Sequence, residues 1–321
     1  MKPALKKLVC TTVLTVAVLG GLELALRRSV PRCGVTPFQI SSVPGLPAEL
    51  RPGFTTLYKG HQVSLNSDGY RGPEFPPPQP GVPRIALVGD SFTFGNAIGL
   101  DDTLGVQLER ALAQSGMPAQ VLNLGVPGYC ALDAAALVEQ RALALEPDVV
   151  LYVFFANDLD QPQHFAQIPP DAVIDSMADF PLHSALIQWL HVRIKHAGLA
   201  LGWQIGRHTP RRSLSQYQDE GGGERLRAAL ERMRDACGSA GVRLAMAVYP
   251  YLTRVDMNPF RPIDELALRD AAALGIEGVD LLAAFEGQAD LSGYWASVFD
   301  SHPDGDANRR AAAYLAQALW P

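Results

Sequence analysis

Short apolar runs alternate with longer amphipathic stretches along the chain from residue 84 onward. The apolar runs have the length and composition of buried strands, and they lie at residues 85–88, 120–126, 149–156, 243–249 and 279–282. The stretches between and after them have helical spacing, at about residues 102–115, 132–145, 224–240, 263–273 and 307–319. The run at 149–156 is continuously apolar, which is typical of a strand buried on both faces. The pattern predicts an α/β domain whose parallel sheet lies between helices.

This alternation is interrupted at about residues 159–223, which we interpret as an insertion. Within it, residues 182–203 have the spacing of a basic amphipathic helix, with Leu186, Leu190 and Ile194 among its apolar positions. Two interpretations stay open. The helix packs on the domain, or it forms a lid or a surface that meets a membrane or an acyl chain.

The N-terminal residues 1–28 have the pattern of a membrane anchor or a signal segment. Three lysines precede the apolar residues 8–26, which as a helix would span roughly 28 Å, close to the thickness of the hydrocarbon core. Val18 and Gly20 match a signal-peptide cleavage site only loosely, so we favour an uncleaved anchor. Basic residues flank both ends of the run, which leaves the orientation nearly balanced. We expect an inner-membrane anchor with the large domain in the periplasm, and a domain at the cytoplasmic face is the alternative.

The segment at residues 29–83 has no sustained hydrophobic period, and we interpret it as a tether that leads to the main domain at 84–321. Residues 55–65 suggest a short β excursion, and residues 66–72 predict a tight turn. Arg71 in that turn is interpreted as a hydrogen-bonded loop arginine, with a functional role as the alternative. A proline-rich stretch follows that favours polyproline II.

Composition and charge narrow the function. A hydrophobic fraction of 48% and a charged fraction of 19% are those of a folded globular protein, and a net charge of −6 argues against a nucleic-acid partner. The cysteines have no metal-ligand spacing, and the chain lacks both G-x-G-x-x-G and a P-loop lysine. We therefore expect no metal and no cofactor. In an exported domain, two of Cys33, Cys130 and Cys237 could be bridged, and a buried free thiol is favoured for Cys237.

Polar residues follow several of the predicted strands, at the point where each strand ends. Since reaction sites in parallel sheets form beyond the carboxyl ends of the strands, these residues are expected to meet. They are Gly89, Asp90 and Ser91 after the first strand, Asn123, Gly125 and Gly128 around the end of the second, Asn157 and Asp158 after the third, and Asp300 and His302 near the C-terminus.

This set contains the groups that acyl transfer requires. A serine hydroxyl such as that of Ser91 is a weak nucleophile until a histidine accepts its proton, and that histidine needs a partner on its other nitrogen. His302 and Asp300 are candidates for these two roles. Donors must also be in place for the oxyanion, and the Gly125 amide and the Asn157 side chain are candidates.

In these residues the chain resembles the SGNH, or GDSL-type, hydrolase superfamily, with its blocks in family order over residues 84–320. The resemblance implies a three-layer α/β/α, flavodoxin-like fold, with Ser91 as nucleophile and His302 as base. It implies an oxyanion hole formed by the Ser91 amide, the Gly125 amide and the Asn157 side chain. The turn at 66–72 with the proline-rich segment after it also looks like membrane-tethered bacterial members.

Two positions depart from the family pattern. The family commonly places its acid three residues before the histidine, where this chain has Phe299. Asp300 then takes that role or the histidine works nearly alone, and Asp304 is a weaker candidate. The third block begins with Ala156 in place of glycine, which we expect the backbone to tolerate.

The remaining residues of the blocks are given supporting roles. Asp90 and Asp158 are interpreted as structural hydrogen-bond acceptors and Asn123 as ordering the second loop. Gly89 and Gly128 are interpreted as positions that need a permissive backbone.

We therefore expect a serine esterase or acyl hydrolase that acts through an acyl-enzyme on Ser91. The substrates implied are lipid esters, small acyl esters, or acetyl groups on envelope polysaccharide. Transfer of the acyl group to a hydroxyl of an envelope glycan is an alternative within the same chemistry. The shifted acid also leaves open a non-catalytic envelope scaffold of the same fold.

Overall fold

The computed structural model describes residues 3–160, 184–200, 210–258 and 260–320. Its strands are β1 (Phe38–Ile40), β2 (Ala48–Leu50), β3 (Thr55–Tyr58), β4 (His61–Ser64), β5 (Arg84–Gly89), β6 (Gln120–Asn123), β7 (Val149–Phe154), β8 (Arg243–Val248), β9 (Glu277–Asp280), β10 (Trp295–Ser297) and β11 (Asp300–Pro303). Its helices are α1 (Pro3–Arg27), α2 (Ser91–Phe94), α3 (Leu104–Gln114), α4 (Ala131–Leu137), α5 (Ala185–Ala200), α6 (Pro210–Gln218), α7 (Gly222–Ala240), α8 (Arg261–Ala273) and α9 (Gly305–Leu319). Short 3₁₀ helices lie at Leu100–Asp102, Leu143–Leu145, Ala156–Leu159, Val255–Met257, Leu281–Phe285 and Ser292–Tyr294, and a π-helix lies at Val138–Ala142.

The centre of the molecule is a five-stranded parallel sheet of order β6-β5-β7-β8-β9. All six residues of β5 and all six of β7 are buried, as expected for strands that are covered on both faces. The five predicted strands are therefore confirmed. The second to fifth strands end one to three residues earlier than predicted, and the fifth begins two residues earlier. The last predicted residues of the second and third strands lie in the loops that carry polar groups.

Helices cover both faces of this sheet. Because alternate strand residues point to opposite sides, each face has its own set of apolar contacts. Ile85 and Leu87 of β5 pack with apolar side chains of α3 and α9. Ala86 and Val88 face the other way and pack with apolar side chains of α4, α7 and α8. The architecture is the predicted three-layer α/β/α fold.

The helix predicted at residues 182–203 corresponds to α5. Residues 161–183 and 201–209 of the predicted insertion lie outside the described residues. Ala185 and Gln188 are buried and Val192 packs against the core, while Leu190 and Ile194 are exposed. The packing interpretation is thus confirmed for one face of the helix.

The N-terminal helix α1 is long and apolar enough to cross a membrane. Near its end, the Glu23 carboxylate accepts hydrogen bonds from the Ser184 hydroxyl at 2.7 Å and from the backbone N–H groups of Ala185 and Leu186 at 3.1 and 2.8 Å. An acidic group at a helix N-terminus satisfies otherwise unpaired donors. The end of α1 is thereby joined to the first turn of α5.

Residues 33–75 are more than the tether that the sequence suggested. The pairs β1–β2 and β3–β4 are antiparallel, and Phe38, Leu50, Tyr58, Val63 and Tyr70 are buried in the core cluster that includes α4. The β excursion suggested at residues 55–65 is the β3–β4 hairpin, whereas β1 and β2, with three residues each, show too few alternations to be read in the sequence. Their stability comes from packing against the neighbouring domain.

Arg71 is a buried loop arginine, as predicted. Its guanidinium donates to the carbonyl groups of Phe94 at 3.1 Å, of Gly95, and of Ile98 at 2.7 Å. Burial lowers the pKa of Arg71 to about 10, so the side chain stays charged at neutral pH. It fixes the end of α2 and the loop that follows.

We expect Arg71→Ala to lower the free energy of unfolding by about 3 kcal/mol, because three buried carbonyl groups lose their donor. Urea unfolding of the detergent-solubilised protein measures this loss. Arg141→Ala is the matched control, since it removes an exposed ion pair with Glu49 (2.8 Å) that also joins the N-terminal segment to the domain, and it should cost less than about 1 kcal/mol. Equal losses in the two variants would contradict the role given to Arg71.

Candidate active site

Ser91 lies at the carboxyl end of β5, on the first residue of the short helix α2. The Asp90 carboxylate caps this helix by accepting the Phe92 N–H at 2.9 Å. Gly89 is required immediately before them, because a Cβ there would lie 2.3 Å from the Thr93 hydroxyl and 2.8 Å from the Val153 carbonyl. The tight packing around Gly89 fixes where the serine emerges from the sheet.

Ser91, His302 and Asp300 form a continuous row of contacts. His302 Nε2 lies 2.8 Å from Ser91 Oγ. On the other side of the ring, Nδ1 contacts Asp300 Oδ1, and the His302 backbone N–H donates to the same oxygen at 3.0 Å. Such a row is able to move a proton from a hydroxyl to an imidazole that is held in one orientation.

The two-residue spacing of Asp300 and His302 is explained by the strand that carries them. Both lie on β11, which pairs with β10 in an antiparallel hairpin. Side chains two residues apart on a strand point to the same face, so the carboxylate and the imidazole meet directly. Phe299, at the position where the family has its acid, is buried outside this row.

The second oxygen of Asp300 is bound by Lys59, a residue that the sequence did not single out. Lys59 Nζ lies 2.9 Å from Asp300 Oδ2. Burial alone would raise the pKa of Asp300, but His302 and Lys59 lower it well below its usual value. The carboxylate is therefore ionised. A Lys-Gly pair in a short hairpin was the local signal, but nothing in the sequence connects residues 59 and 300.

Asn157 and Asp158 lie on the 3₁₀ turn that follows β7. Asn157 Nδ2 donates to Asp90 Oδ2 at 3.1 Å, and Ser91 Oγ lies 3.2 Å from the same oxygen. Asp158 Oδ2 accepts the Tyr152 hydroxyl at 2.6 Å. Burial raises the pKa of both Asp90 and Asp158. Both aspartates are hydrogen-bond acceptors within the fold, as the sequence suggested.

Gly125 does not match the donor role that the sequence gave it. Its N–H donates to Asn123 Oδ1 at 3.0 Å, while Asn123 Nδ2 donates to the Thr93 carbonyl at 2.9 Å. A Cβ at Gly125 would lie 2.3 Å from the Phe94 nitrogen. Gly125 therefore permits close packing of the loop on α2, and Asn123 orders that loop as expected.

Gly128, three residues later, is better placed to donate. The Val126 N–H donates to the Gly89 carbonyl at 3.0 Å, which pairs the loop after β6 with the end of β5. Two residues further along these two segments are Gly128 and Ser91. Gly128 is half-buried with φ at +84°, and its N–H has no acceptor within the part of the chain that the structure describes. The pairing of Val126 with Gly89 is the signal that identifies Gly128, and the sequence alone does not show this pairing.

Aromatic rings form an apolar wall beside the serine. The Phe92 and Phe155 rings stack with centroids 3.9 Å apart, and Phe92 lies 5.2 Å from the His302 ring. Phe155 also stacks on Tyr251 at 6.1 Å. The wall limits access of water to one side of the imidazole.

Across residues 3–160, 184–200, 210–258 and 260–320, no cluster of His, Cys, Asp and Glu could hold a metal ion. Cys130 and Cys237 are buried free thiols, whereas Cys33 Sγ accepts the Lys59 N–H at 3.3 Å.

Solved structures similar to this chain include a lipase/acylhydrolase from Enterococcus faecalis (18% identity, 74% of this chain and 95% of that one, TM-score 0.44). Others are an acetylxylan esterase from Geobacillus stearothermophilus (16%, 74% and 94%, TM-score 0.46) and a G-D-S-L family protein from Desulfitobacterium hafniense (16%, 74% and 99%, TM-score 0.45). No curated protein matches the chain.

The comparison with protein-family models gives a match over most of the α/β domain. The model of the GDSL-like lipase/acylhydrolase family matches residues 87–310, which is more than half of the chain. The matched range contains Ser91, Asn157, Asp300 and His302 and excludes Lys59. The chain belongs to the GDSL-like lipase/acylhydrolase family and is a hydrolase that acts on esters.

Proposed function

We propose that the chain is a membrane-anchored serine esterase or acyl hydrolase that cleaves carboxylic esters through an acyl-enzyme on Ser91. The observation that carries this proposal is the row of contacts from Ser91 Oγ to His302 Nε2 at 2.8 Å and from His302 Nδ1 to Asp300. The substrate classes are lipid esters, small acyl esters and O-acetyl groups of envelope polysaccharide.

In the first half of the reaction, His302 Nε2 takes the proton of Ser91 Oγ as the oxygen attacks the ester carbonyl carbon. The tetrahedral intermediate collapses when its bond to the alcohol oxygen breaks, and His302 returns the proton to that alcohol. In the second half, His302 takes a proton from water, and the hydroxide attacks the acyl group. The carboxylic acid leaves and Ser91 regains its proton.

The oxyanion of the intermediate needs donors that are already in place. We assign this role to the Ser91 N–H at the start of α2, to Asn157 Nδ2, and to the Gly128 N–H in place of Gly125. Asn157 has two amide hydrogens, and its bond to Asp90 uses one of them. The other is available to the substrate.

The acceptor of the acyl group separates hydrolysis from transfer. If a sugar hydroxyl of an envelope glycan replaces water in the second half, the same residues perform an O-acyl transfer. The scaffold alternative rested on the shifted acid, and the spacing of Asp300 and His302 on one strand face argues against it.

We place the chain in the inner membrane through residues 8–26, with the α/β domain on the periplasmic side. The contact of Glu23 with the first turn of α5 supports a site close to the membrane. The segment containing α5 follows β7 in the chain, and the carboxyl end of β7 leads directly to Asn157.

A membrane-impermeant fluorophosphonate added to spheroplasts of an expressing Gram-negative host tests the nucleophile and the side of the membrane together. We expect labelling of the wild-type protein, and loss of labelling in Ser91→Ala and His302→Ala, because the probe reacts with an activated serine. Labelling of Ser91→Ala equal to wild type would disprove the assigned nucleophile. Labelling that requires lysis would disprove the periplasmic side.

The acid is tested by Asp300→Asn. We expect kcat on p-nitrophenyl acetate to fall by about two to four orders of magnitude at neutral pH, because the amide no longer holds the imidazole in its working tautomer. Asp304→Asn is the matched control. Asp304 caps α9 through the Ala307 N–H at 2.8 Å, asparagine is an equally good cap, and its kcat should stay near wild type. The reverse order of effects would make Asp304 the acid.

The oxyanion assignment is tested by Asn157→Ala. Removing one such donor lowers kcat by about 10² to 10³, and KM should change little because the interaction strengthens only in the transition state. Steady-state kinetics on a short-chain ester measures both constants. A rise in KM with unchanged kcat would instead assign Asn157 to ground-state binding.

A further inference from the structure

Lys59 occupies an unusual backbone position at the tip of the β3–β4 hairpin. The two turn residues, Lys59 and Gly60, have φ of +47° and +87°, which is the signature of a type I′ turn. Asparagine, aspartate or glycine is preferred at the first of these positions, because other side chains are strained there. The strained backbone of Lys59 therefore indicates a role for its side chain.

The hairpin tip is fixed on several sides. The Lys59 N–H donates to Cys33 Sγ at 3.3 Å, and the Gly60 N–H donates to the Arg32 carbonyl at 2.8 Å. Tyr58, directly before the turn, is buried, and its ring makes an edge contact with Phe94 at 5.9 Å. The base of the lysine side chain is therefore held in place on the domain that contains Ser91.

The side chain of Lys59 ends on the carboxylate of Asp300. Its Nζ lies 2.9 Å from Oδ2, and the two side chains are 28% and 11% exposed. The other oxygen, Oδ1, receives both the backbone N–H and the imidazole of His302. Each carboxylate oxygen thus has its own cationic or polar partner, which fixes the plane of the carboxylate.

We infer that Lys59 is a positioning residue of the reaction, whose ammonium group orients the Asp300 carboxylate toward His302. The inference rests on the proposed function of Ser91, His302 and Asp300. Its physical basis is that the positive charge of Lys59 beside Oδ2 holds the plane of the carboxylate and partly neutralises the negative charge that His302 faces. Lys59 lies outside the range that matches the family.

Lys59 supplies the positive charge that balances the Asp300 carboxylate, and the other titratable groups around Asp300 and His302 do not replace it. Asp90 faces His302 from the loop after β5, and Tyr58 and Cys33 face Lys59 from the N-terminal segment. Burial alone would lower the pKa of Lys59, but Asp300 raises it and the net shift is upward. Burial raises the pKa of Tyr58, so its hydroxyl is neutral. The ammonium therefore persists over the whole pH range of the reaction.

The test compares Lys59→Met and Lys59→Arg in the full chain by measuring ester hydrolysis as a function of pH. In Lys59→Met we expect the acid limb of kcat/KM to move to higher pH by about one unit. We also expect kcat to fall several-fold with KM nearly unchanged. Lys59→Arg keeps the charge and should retain the position of the limb. Arg141→Met breaks another ion pair between the N-terminal segment and the domain, and its limb should stay at the wild-type pH.

An acid limb that stays at the wild-type pH in folded Lys59→Met would overturn the inference. If that variant does not fold, Lys59→Gln, which keeps a polar side chain without charge, replaces it and is expected to show the same shift of the acid limb. An unshifted limb in Lys59→Gln would likewise overturn the inference. Loss of the proposed function is recognised separately. If the wild-type protein neither turns over esters nor reacts with a fluorophosphonate, the assignment of Ser91 fails and the role of Lys59 with it. Turnover that Ser91→Ala abolishes, with an unshifted Lys59→Met limb, overturns the Lys59 inference alone.

Discussion

The rigidity of β5 is the constraint on which the site depends. The strand lies between β6 and β7 in the sheet, and all six of its residues are buried. A strand that is hydrogen-bonded on both edges and packed on both faces has little freedom at its end. Three contacts extend this rigidity to Ser91. They are the close packing at Gly89, the helix cap by Asp90, and the hydrogen bonds of Arg71 to the end of α2.

Three aspartates at this edge of the sheet experience different environments. Asp90 and Asp158 accept hydrogen bonds from neutral groups, so burial dominates and their pKa values rise. The Asp300 side chain is 11% exposed and contacts both His302 and Lys59, and its pKa falls. Groups of one chemical type thus acquire separate roles through their partners. Asp90 and Asp158 stabilise loops, whereas Asp300 contacts the imidazole of His302.

Much of this arrangement could be predicted from the sequence, because continuous apolar runs such as residues 149–156 identify buried strands. Ser91, Asn157 and His302 could be singled out because each lies beyond a strand or close to the C-terminal helix. The Gly128 N–H, which we propose as the donor on the second loop, could not, since the sequence does not show whether the N–H of Gly125 or of Gly128 is already bonded. Lys59 could not be predicted, because no motif connects it with Asp300, which lies 241 positions further along the chain. The fold of residues 33–75 was predicted only in part: the β excursion at residues 55–65 is confirmed as β3 and β4, whereas β1 and β2 are too short for a period to appear.

The shifted acid is best understood as a consequence of secondary structure. An acid three residues before the histidine would point to the opposite face if the segment were a regular strand, so a turn would be needed to bring the two together. Here the segment remains the strand β11, and a spacing of two is the one that places both side chains on one face. An acid on a strand also loses the backbone donors that a turn could offer to its second oxygen. Lys59 fills that position, which ties the N-terminal segment to the chemistry of the domain it packs on.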